Sequence, residues 1–267
     1  MAEISAALVK ELRDRTGAPM MDCKRALQQT NGDMESAIRL LREKGIAGAE
    51  KRAGNVTPEG KVGYRLSEDK KQGTMVAVGC ETDFVANNDE FLSFAKKVLE
   101  VVEAKGPGAE QELEDERAQL AGKLGENIAV TDTARFEAVD GGIIAAYAHP
   151  PQNKIGVMLQ LRGGSDDLGR KIAMHIAAMR PRWIGREDVP ESDVAQEREI
   201  FLSTDEVQSK PEQARDKIVE GMLNKRFFGA NVLVDQEWIH DSGKKVGDVL
   251  AEEKAEVLEL ARFELSA

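Results

Sequence analysis

The side chains that most often carry out catalysis or bind metal are few and scattered in this sequence. Its three histidines, His149, His175 and His240, do not stand at metal-ligand spacing from one another or from a cysteine. The chain contains no HExxH, GxxxxGK[ST] or GxSxG sequence, and its 48 acidic residues make no single acid-base pair stand out. The sequence therefore predicts neither a catalytic centre nor a metal site, and no cofactor is expected.

Two of the histidines differ in their predicted surroundings. His175 lies inside a predicted helix between Met174 and Ile176, so we expect a buried, hydrogen-bonded core residue rather than a ligand. His149 ends a predicted strand just before two prolines, where it is either an inert turn residue or a contact with a partner. The glycine-rich segment 163–169 lacks the lysine and the glycine spacing of a phosphate-binding loop, and it predicts a plain strand-to-helix connection.

The segment CETDFVANNDEF, residues 80–91, places an acid and a large aromatic side chain together at a predicted strand-to-helix turn. Asn87 is predicted to cap the following helix, so residues 82–86 form an exposed turn. In one interpretation, Phe84 folds back onto that helix as a hydrophobic staple and Asp83 caps a backbone amide. In the other, Phe84 fills a pocket of a partner and Asp83 provides a nearby hydrogen bond. Composition does not decide between them.

The N-terminal region predicts a small helical domain. Apolar residues recur at helical spacing on both sides of a break at residues 16–19, and Asp33 is placed to cap a third helix that ends near Gly45. These helices predict a domain over residues 1–46. The segment 47–60 is charged and aperiodic, and we expect a linker there.

Beyond the linker, one pattern occurs twice. Each copy predicts a β-hairpin followed by a helix, and then a further helix and strand. Tyr64 is expected to correspond to Tyr147, and Met75 to Met158, because each pair is separated by 83 positions. The chain is therefore expected to be an α+β protein with a duplicated core.

The terminal strands of the two copies both contain the letters ARFE, at residues 134–137 and 261–264. They are 127 positions apart, so the second copy is expected to carry an insertion of about 44 residues. We place it at residues 189–228, which leaves two core subdomains: residues 61–140, and residues 141–188 together with 229–267.

The insertion predicts an antiparallel helical hairpin. Each arm carries an apolar stripe, and Ser209, Pro211 and Glu212 resemble a capping-box start for the second arm. Such a projection either packs on the parent domain or pairs with a copy of itself.

Composition excludes some partners and compartments. The net charge of −11 repels phosphate backbones, so a protein partner is expected rather than nucleic acid. Cys23 and Cys80 form no CxxC pair and predict buried thiols in a reduced, intracellular protein. Because the N-terminus has no continuous apolar run, we expect a soluble, cytoplasmic protein without a membrane partner.

Two segments resemble the signatures of one protein family. TDFVAN, residues 82–87, resembles the signature of the bacterial elongation factor Ts family, guanine-nucleotide exchange factors for elongation factor Tu. LRDRTGAPMMDCKRAL, residues 12–27, is similar to the other signature of that family. The segments AGNV, KLGENI, KIAMHIAA, KIVEGMLNK and RFE are also similar to family blocks and stand in the family's order. The resemblance covers essentially the whole chain.

The resemblance implies an architecture and a function. It implies a ubiquitin-associated-like three-helix domain, two duplicated α+β subdomains with antiparallel sheets, and a helical-hairpin (coiled-coil) dimerisation module. A homodimer through residues 189–228 would then give a 2:2 complex with the GTPase. The implied function is release of GDP from elongation factor Tu, so that GTP can rebind. An exchange factor acts by differential binding and is not an enzyme in the usual sense.

The family's partner contacts would fall on two groups of residues. The N-terminal group comprises Arg13, Met20, Met21, Lys24 and Arg52, and the core group comprises Thr82, Asp83, Phe84, Val85, Ile128 and His149. The alternative interpretation of Met20 is core packing of the helical domain.

Two other functions stay open at this point. The chain could be a binding or chaperone module, or a subunit of a larger complex, without exchange activity. Binding without any change in the nucleotide off-rate would favour that function. A further alternative is an enzyme that uses paired carboxylates.

Overall fold

The structure, a computed structural model, describes residues 4–139 and 141–266 of the chain. Within those ranges it combines helices with three antiparallel sheets, so the predicted α+β class is confirmed. The predicted domain ends at residues 1, 140 and 267 lie outside the described residues, and the division into domains remains a prediction.

The N-terminal part is helical. Its helices are α1 (Ala6–Thr16), α2 (Met20–Gln29) and α3 (Met34–Arg52). Ser5 caps α1 by accepting a hydrogen bond from the Leu8 amide, and Gly17 ends the helix at a φ of 65°. All three helices contribute to one small core: Val9, Leu12, Cys23, Ala26, Leu27 and Ala37.

The first half of the core follows. Its elements are β1 (Glu59–Leu66), β2 (Gln72–Cys80), α4 (Asp83–Ala86), α5 (Asp89–Lys105), a 3₁₀ turn (Ala109–Leu113), α6 (Glu114–Leu124) and β3 (Ile128–Glu137). Strand β2 lies between β1 and β3, and α5 packs on β2 through Phe91 and Val98. Asn88, not Asn87, caps α5, because its side chain accepts the amides of Glu90 and Phe91.

Helix α3 does not stop near Gly45 but continues to Arg52, so residues 47–52 of the predicted linker are helical. The reason is a close crossing of α3 and α6. A Cβ on Gly122 would lie 2.5 Å from the Gly45 Cα. Glycine weakens an isolated helix by about 1 kcal/mol, but here it lets two backbones approach, and the packing of α3 on α6 keeps α3 helical.

The second half contains the remaining elements. The strands are β4 (Ile143–Ala148), β5 (Ile155–Arg162), β6 (Glu237–Trp238), β7 (Asp241–Lys245) and β8 (Glu256–Glu264). The α-helices are α7 (Asp166–Met179), α8 (Glu191–Ser203), α9 (Asp205–Gln208), α10 (Glu212–Met222), α11 (Gly229–Asn231) and α12 (Val246–Glu252). A π-helical segment (Leu223–Phe228) joins α10 to α11, and two 3₁₀ turns lie at Arg186–Asp188 and Leu233–Asp235. Strand β5 lies between β4 and β8, and α7 packs on β4 and β5. Ser165 caps α7 after Gly163 and Gly164, both at positive φ, so this segment is the plain strand-to-helix connection that the sequence predicts.

Helices α8 and α10 pack against each other and against the segments that flank them. Their shared core includes Phe201, Val219, Met222 and Val232. The predicted capping box at residues 209–212 is wrong, because α10 begins after Pro211 without a side-chain cap and the Ser209 hydroxyl donates to the Glu206 carbonyl. Pairing of this hairpin with a second copy stays a prediction.

The registers of the two three-stranded sheets repeat each other. Met75 lies opposite Ala134 in the first sheet, and Met158 lies opposite Ala261 in the second. Each middle strand has a β-bulge at the same place, between Ala77 and Val78 in β2 and between residues 160 and 161 in β5. The ARFE segments therefore occupy equivalent positions.

The predicted correspondence of Tyr64 with Tyr147 is wrong by one residue. Tyr64 lies opposite Met75, whereas Met158 lies opposite Ala146, and Tyr147 is one position further along. The connection between β4 and β5 is one residue longer than the connection between β1 and β2, which shifts the first strand of the hairpin.

The two sheets pack on each other through the faces that do not carry α5 and α7. Their contact contains Val62, Met75, Ile144 and Met158. A Cβ on Gly73 would lie 2.6 Å from Ile144 Cγ2, and a Cβ on Gly156 would lie 2.3 Å from Val62 Cγ1. Each sheet therefore uses a glycine to admit a side chain of the other.

His175 is a buried, hydrogen-bonded core residue, as the sequence predicts. Its ring stacks on Trp238 with centroids 5.3 Å apart, and its Nε2 lies 2.9 Å from Gln236 Oε1. The Gln236 amide nitrogen donates to two carbonyls, so its oxygen accepts from Nε2, while Nδ1 accepts the Ile239 amide. This arrangement holds the neutral imidazole, and burial lowers the pKa of His175.

The lowered pKa of His175 predicts a loss of stability in mild acid. Below about pH 6.5 the unfolded chain binds a proton that the folded chain excludes. The free energy of unfolding should therefore fall as the pH decreases from 6.5 toward 5, by at most about 1.4 kcal/mol per pH unit from this group. Denaturation at several pH values should show that the free energy of unfolding depends less on pH in His175→Gln than in the parent protein. An NMR titration that placed the pKa of His175 at or above 6.5 would contradict this explanation.

Candidate functional site

Residues 81–86, which follow β2 in the connection to α5, are here called the elbow. Thr82 caps α4, because its Oγ1 accepts a hydrogen bond from the Val85 amide at 3.4 Å. Val85 and Ala86 are buried in the core below it, whereas Asp83 and Phe84 point outward. The single turn of α4 is therefore anchored in the core by Val85 and Ala86, and it exposes Asp83 and Phe84 to solvent.

Phe84 is 85% exposed, the largest value among the large apolar side chains of the described residues. The hydrophobic-staple interpretation is therefore wrong, because a staple would bury the ring on α5. Val85 and Ala86 occupy the inward positions of this turn, and Phe84 occupies an outward one. What remains is an aromatic side chain displayed to solvent, next to a carboxylate.

The turn before β3 holds the elbow by hydrogen bonds. Glu126 accepts from the amides of Glu81 (3.0 Å) and Thr82 (2.9 Å) and from the Thr82 hydroxyl (2.6 Å). Glu81 in turn accepts from the Asn127 amide at 2.6 Å and from the Asn55 side chain at 3.0 Å. These two bonds lower the pKa of Glu81. Thr82, predicted as a partner contact, uses its hydroxyl within the chain.

The structure brings His149 and Asp83 to one groove. Its lining also includes Gln152, Lys154 and Leu265. The His149 ring is exposed, and its Nδ1 lies 2.9 Å from the Tyr147 hydroxyl, which orients it. Of the two interpretations of His149, this position favours a contact residue.

The N-terminal candidates lie on α1 and α2, away in sequence from the elbow. Arg13 and Lys24 are exposed, as are Met20 (51%) and Met21 (60%). Met20 therefore does not belong to the helical core, and its alternative interpretation is wrong. Two neighbouring methionines offer an adaptable apolar surface.

Three other residues predicted as partner contacts are buried or half-buried. Ile128 is completely buried at the start of β3, and Val85 is buried on the inner side of the elbow, so their role as partner contacts stays a prediction. Both side chains belong to the core cluster beneath the exposed Asp83 and Phe84. Arg52 is half-buried at the end of α3 and donates to the Gly48 carbonyl at 3.1 Å.

Sequence reasoning did not select Glu126 or Asn127. The one signal for them was the segment KLGENI, which resembles a family block. Their contacts with the elbow cross 44 to 46 positions of sequence, and no local pattern predicts them.

The His, Cys, Asp and Glu side chains are the groups that could bind a metal ion or supply a reactive thiol. Among the described residues, no three His, Cys, Asp or Glu side chains could hold a metal ion. Both cysteines are buried, and burial raises the pKa of the Cys80 thiol to about 12, so it stays protonated. Within residues 4–139 and 141–266, none of the helices has the length and the continuous apolar sequence that a membrane span requires.

Comparisons with known proteins identify one family. The family model described as elongation factor TS matches residues 81–267. A protein named elongation factor Ts from Thioalkalivibrio sulfidiphilus is 42% identical over 272 residues, which cover 98% of this chain and 92% of the relative. The proteins of that name from Methylococcus capsulatus (41% over 273 residues, 98% and 92%) and a Psychrobacter species (40% over 276 residues, 99% and 92%) are similar to nearly the same extent.

Proposed function

Because the chain belongs to the elongation factor Ts family, we propose that it binds elongation factor Tu in its GDP form and accelerates the release of GDP. Membership makes the chain a translation elongation factor that serves protein biosynthesis. The observation that carries the proposed mechanism is Phe84, 85% exposed on an elbow that is anchored from below and from the side. Such a side chain is suited to enter a pocket of another protein.

The proposed mechanism is differential binding. Phe84 and Asp83 enter between helices of the GTPase near its nucleotide and disturb the coordination of magnesium and phosphate, so GDP leaves and GTP rebinds. Every tenfold weakening of GDP requires about 1.4 kcal/mol of tighter binding to the nucleotide-free GTPase. A buried phenylalanine contributes roughly 1.5 to 3 kcal/mol, so it supplies part of this difference only if its pocket opens in the nucleotide-free state. No proton transfer is needed.

The remaining exposed candidates would hold the GTPase in both of its states. They are Arg13, Met20, Met21 and Lys24 on the N-terminal helices and His149 in the groove beside the elbow. Contacts that are equally strong with and without GDP raise the affinity but not the exchange rate at saturation. Coupling is reciprocal, so rebinding of a nucleotide expels the exchange factor.

Stopped-flow release of a fluorescent GDP from elongation factor Tu tests the proposal. We expect the release rate to rise with the concentration of this protein and to reach a plateau, because the complex with GDP forms before GDP leaves. Binding measured by calorimetry without any change in the release rate would instead favour a binding or chaperone module. If the protein neither bound elongation factor Tu nor accelerated the release of GDP, both functions would be contradicted.

A further inference from the structure

We infer that Glu126 is a positioning residue for nucleotide exchange, because it holds the elbow in the orientation that presents Phe84. This inference rests on the function proposed above. It assigns to the turn before β3 a role separate from the surfaces that would contact the GTPase.

A short chain of hydrogen bonds links the Glu126 carboxylate to the turn that carries Phe84. One oxygen accepts the Glu81 and Thr82 amides, and the other accepts the Thr82 hydroxyl at 2.6 Å. Because that hydroxyl donates to Glu126, its lone pairs face the Val85 amide, from which it accepts the capping bond of α4. Hydrogen bonds to a charged acceptor are shorter and stronger than neutral ones. The carboxylate thus fixes both the strand end and the first turn of α4.

The elbow needs such support because α4 is only four residues long. A single helical turn is not stable by itself, and the exposed Phe84 ring gains no packing that would hold it. The buried side chains of Val85 and Ala86 fix the depth of the turn, while Glu126 fixes its start. An elbow that is already ordered in the free protein does not have to become ordered when Phe84 enters its pocket, so the exchange step becomes faster.

The duplicated half supplies an internal comparison. Glu253 and Glu126 each lie eight residues before the ARFE segment of their half, and Glu253 contacts Ser165, the counterpart of Thr82. That contact is a single bond of 3.4 Å between Glu253 Oε2 and Ser165 Oγ. The position equivalent to Phe84 carries Asp167. The short hydroxyl bond is therefore found in the half that displays the aromatic side chain.

The test is Glu126→Gln in the GDP-release experiment, with Glu253→Gln as the matched control. Glutamine keeps the shape but has one acceptor oxygen, so it cannot accept all three hydrogen bonds. We expect the saturating release rate to fall about tenfold, the effect of losing a hydrogen bond to a charged acceptor, with little change in the half-saturating concentration. Glu253→Gln should behave as the parent does. Amide hydrogen exchange at Glu81 and Thr82 should accelerate only in Glu126→Gln.

A double variant separates positioning from general destabilisation. If Glu126 acts through Phe84, adding Glu126→Gln to Phe84→Ala should cause little further loss of rate. A multiplied loss in the double variant, or a parental rate in Glu126→Gln, would overturn the inference while leaving the proposed function standing. A parent protein that does not accelerate GDP release would overturn the proposed function and the positioning role together.

Discussion

Replacement of Phe84 by alanine is expected to lower the saturating rate of GDP release by about 10- to 100-fold, because burial of a phenylalanine contributes roughly 1.5 to 3 kcal/mol. The folded chain should be unaffected, since a side chain that is 85% exposed contributes little to the core. The half-saturating concentration should change less than the rate, because we propose that the ring enters its pocket only as GDP leaves. Stopped-flow measurements over a range of concentrations separate the two quantities.

The control for Phe84→Ala is Ile239→Ala. Ile239 is also a large exposed apolar residue, at 41%, and it lies in the turn between β6 and β7, away from the elbow in sequence. Its variant should exchange GDP at the parental rate. A parental rate in Phe84→Ala would exclude the wedge mechanism, and equal losses in the two variants would show that the effect is not specific to the elbow.

Replacement of Gly156 by alanine is expected to destabilise the fold by about 1 to 3 kcal/mol, the usual cost of overpacking a core. The new Cβ would lie 2.3 Å from Val62 Cγ1 and 3.1 Å from Met75 Sδ. Methionine can move aside, but valine is stiff at χ1, so the two sheets would have to separate. Chemical denaturation of the two proteins measures the difference in the free energy of unfolding.

Gly63→Ala is the matched control, because Gly63 lies on β1 beside Val62 and a Cβ there would meet nothing within 4 Å. It should be close to neutral. Adding Val62→Ala to Gly156→Ala should cost less than the two single effects predict, since it removes the atom that clashes. Strict additivity of the two changes would show that the destabilisation does not arise at the contact between the sheets.

Much of the core could be predicted because its signals appear in the order of residues along the chain. The repeated ARFE letters and the separation of Met75 and Met158 by 83 positions predicted a duplication, and the β-bulges recur at matching positions. His175 was predicted to be buried because it lies inside a helix between two apolar residues, Met174 and Ile176. The error of one residue at Tyr147 arose at a turn, where periodicity carries no information about loop length.

The predictions that failed depended on contacts between distant parts of the chain. A glycine at position 45 indicates a helix end, yet the backbone of α6 at Gly122 packs against it and α3 continues. Val85 and Ile128, which the family resemblance places among the partner contacts, are buried because β2, β3 and α5 enclose them, so their contact with a partner stays a prediction. A sequence pattern does not show which side of a four-residue turn faces the core.

The sequence alone determined the fold class, the duplication and the family, because periodicity, repeated letters and signature segments can be recognised without knowing which elements pack together. Only the tertiary structure decided that Phe84 points to solvent and that Glu126 holds its elbow. Those outcomes depend on β3 returning beside β2, which brings residues 44 positions apart within hydrogen-bonding distance. A contact of this kind is created by the packing of the elements, and neither segment alone encodes it.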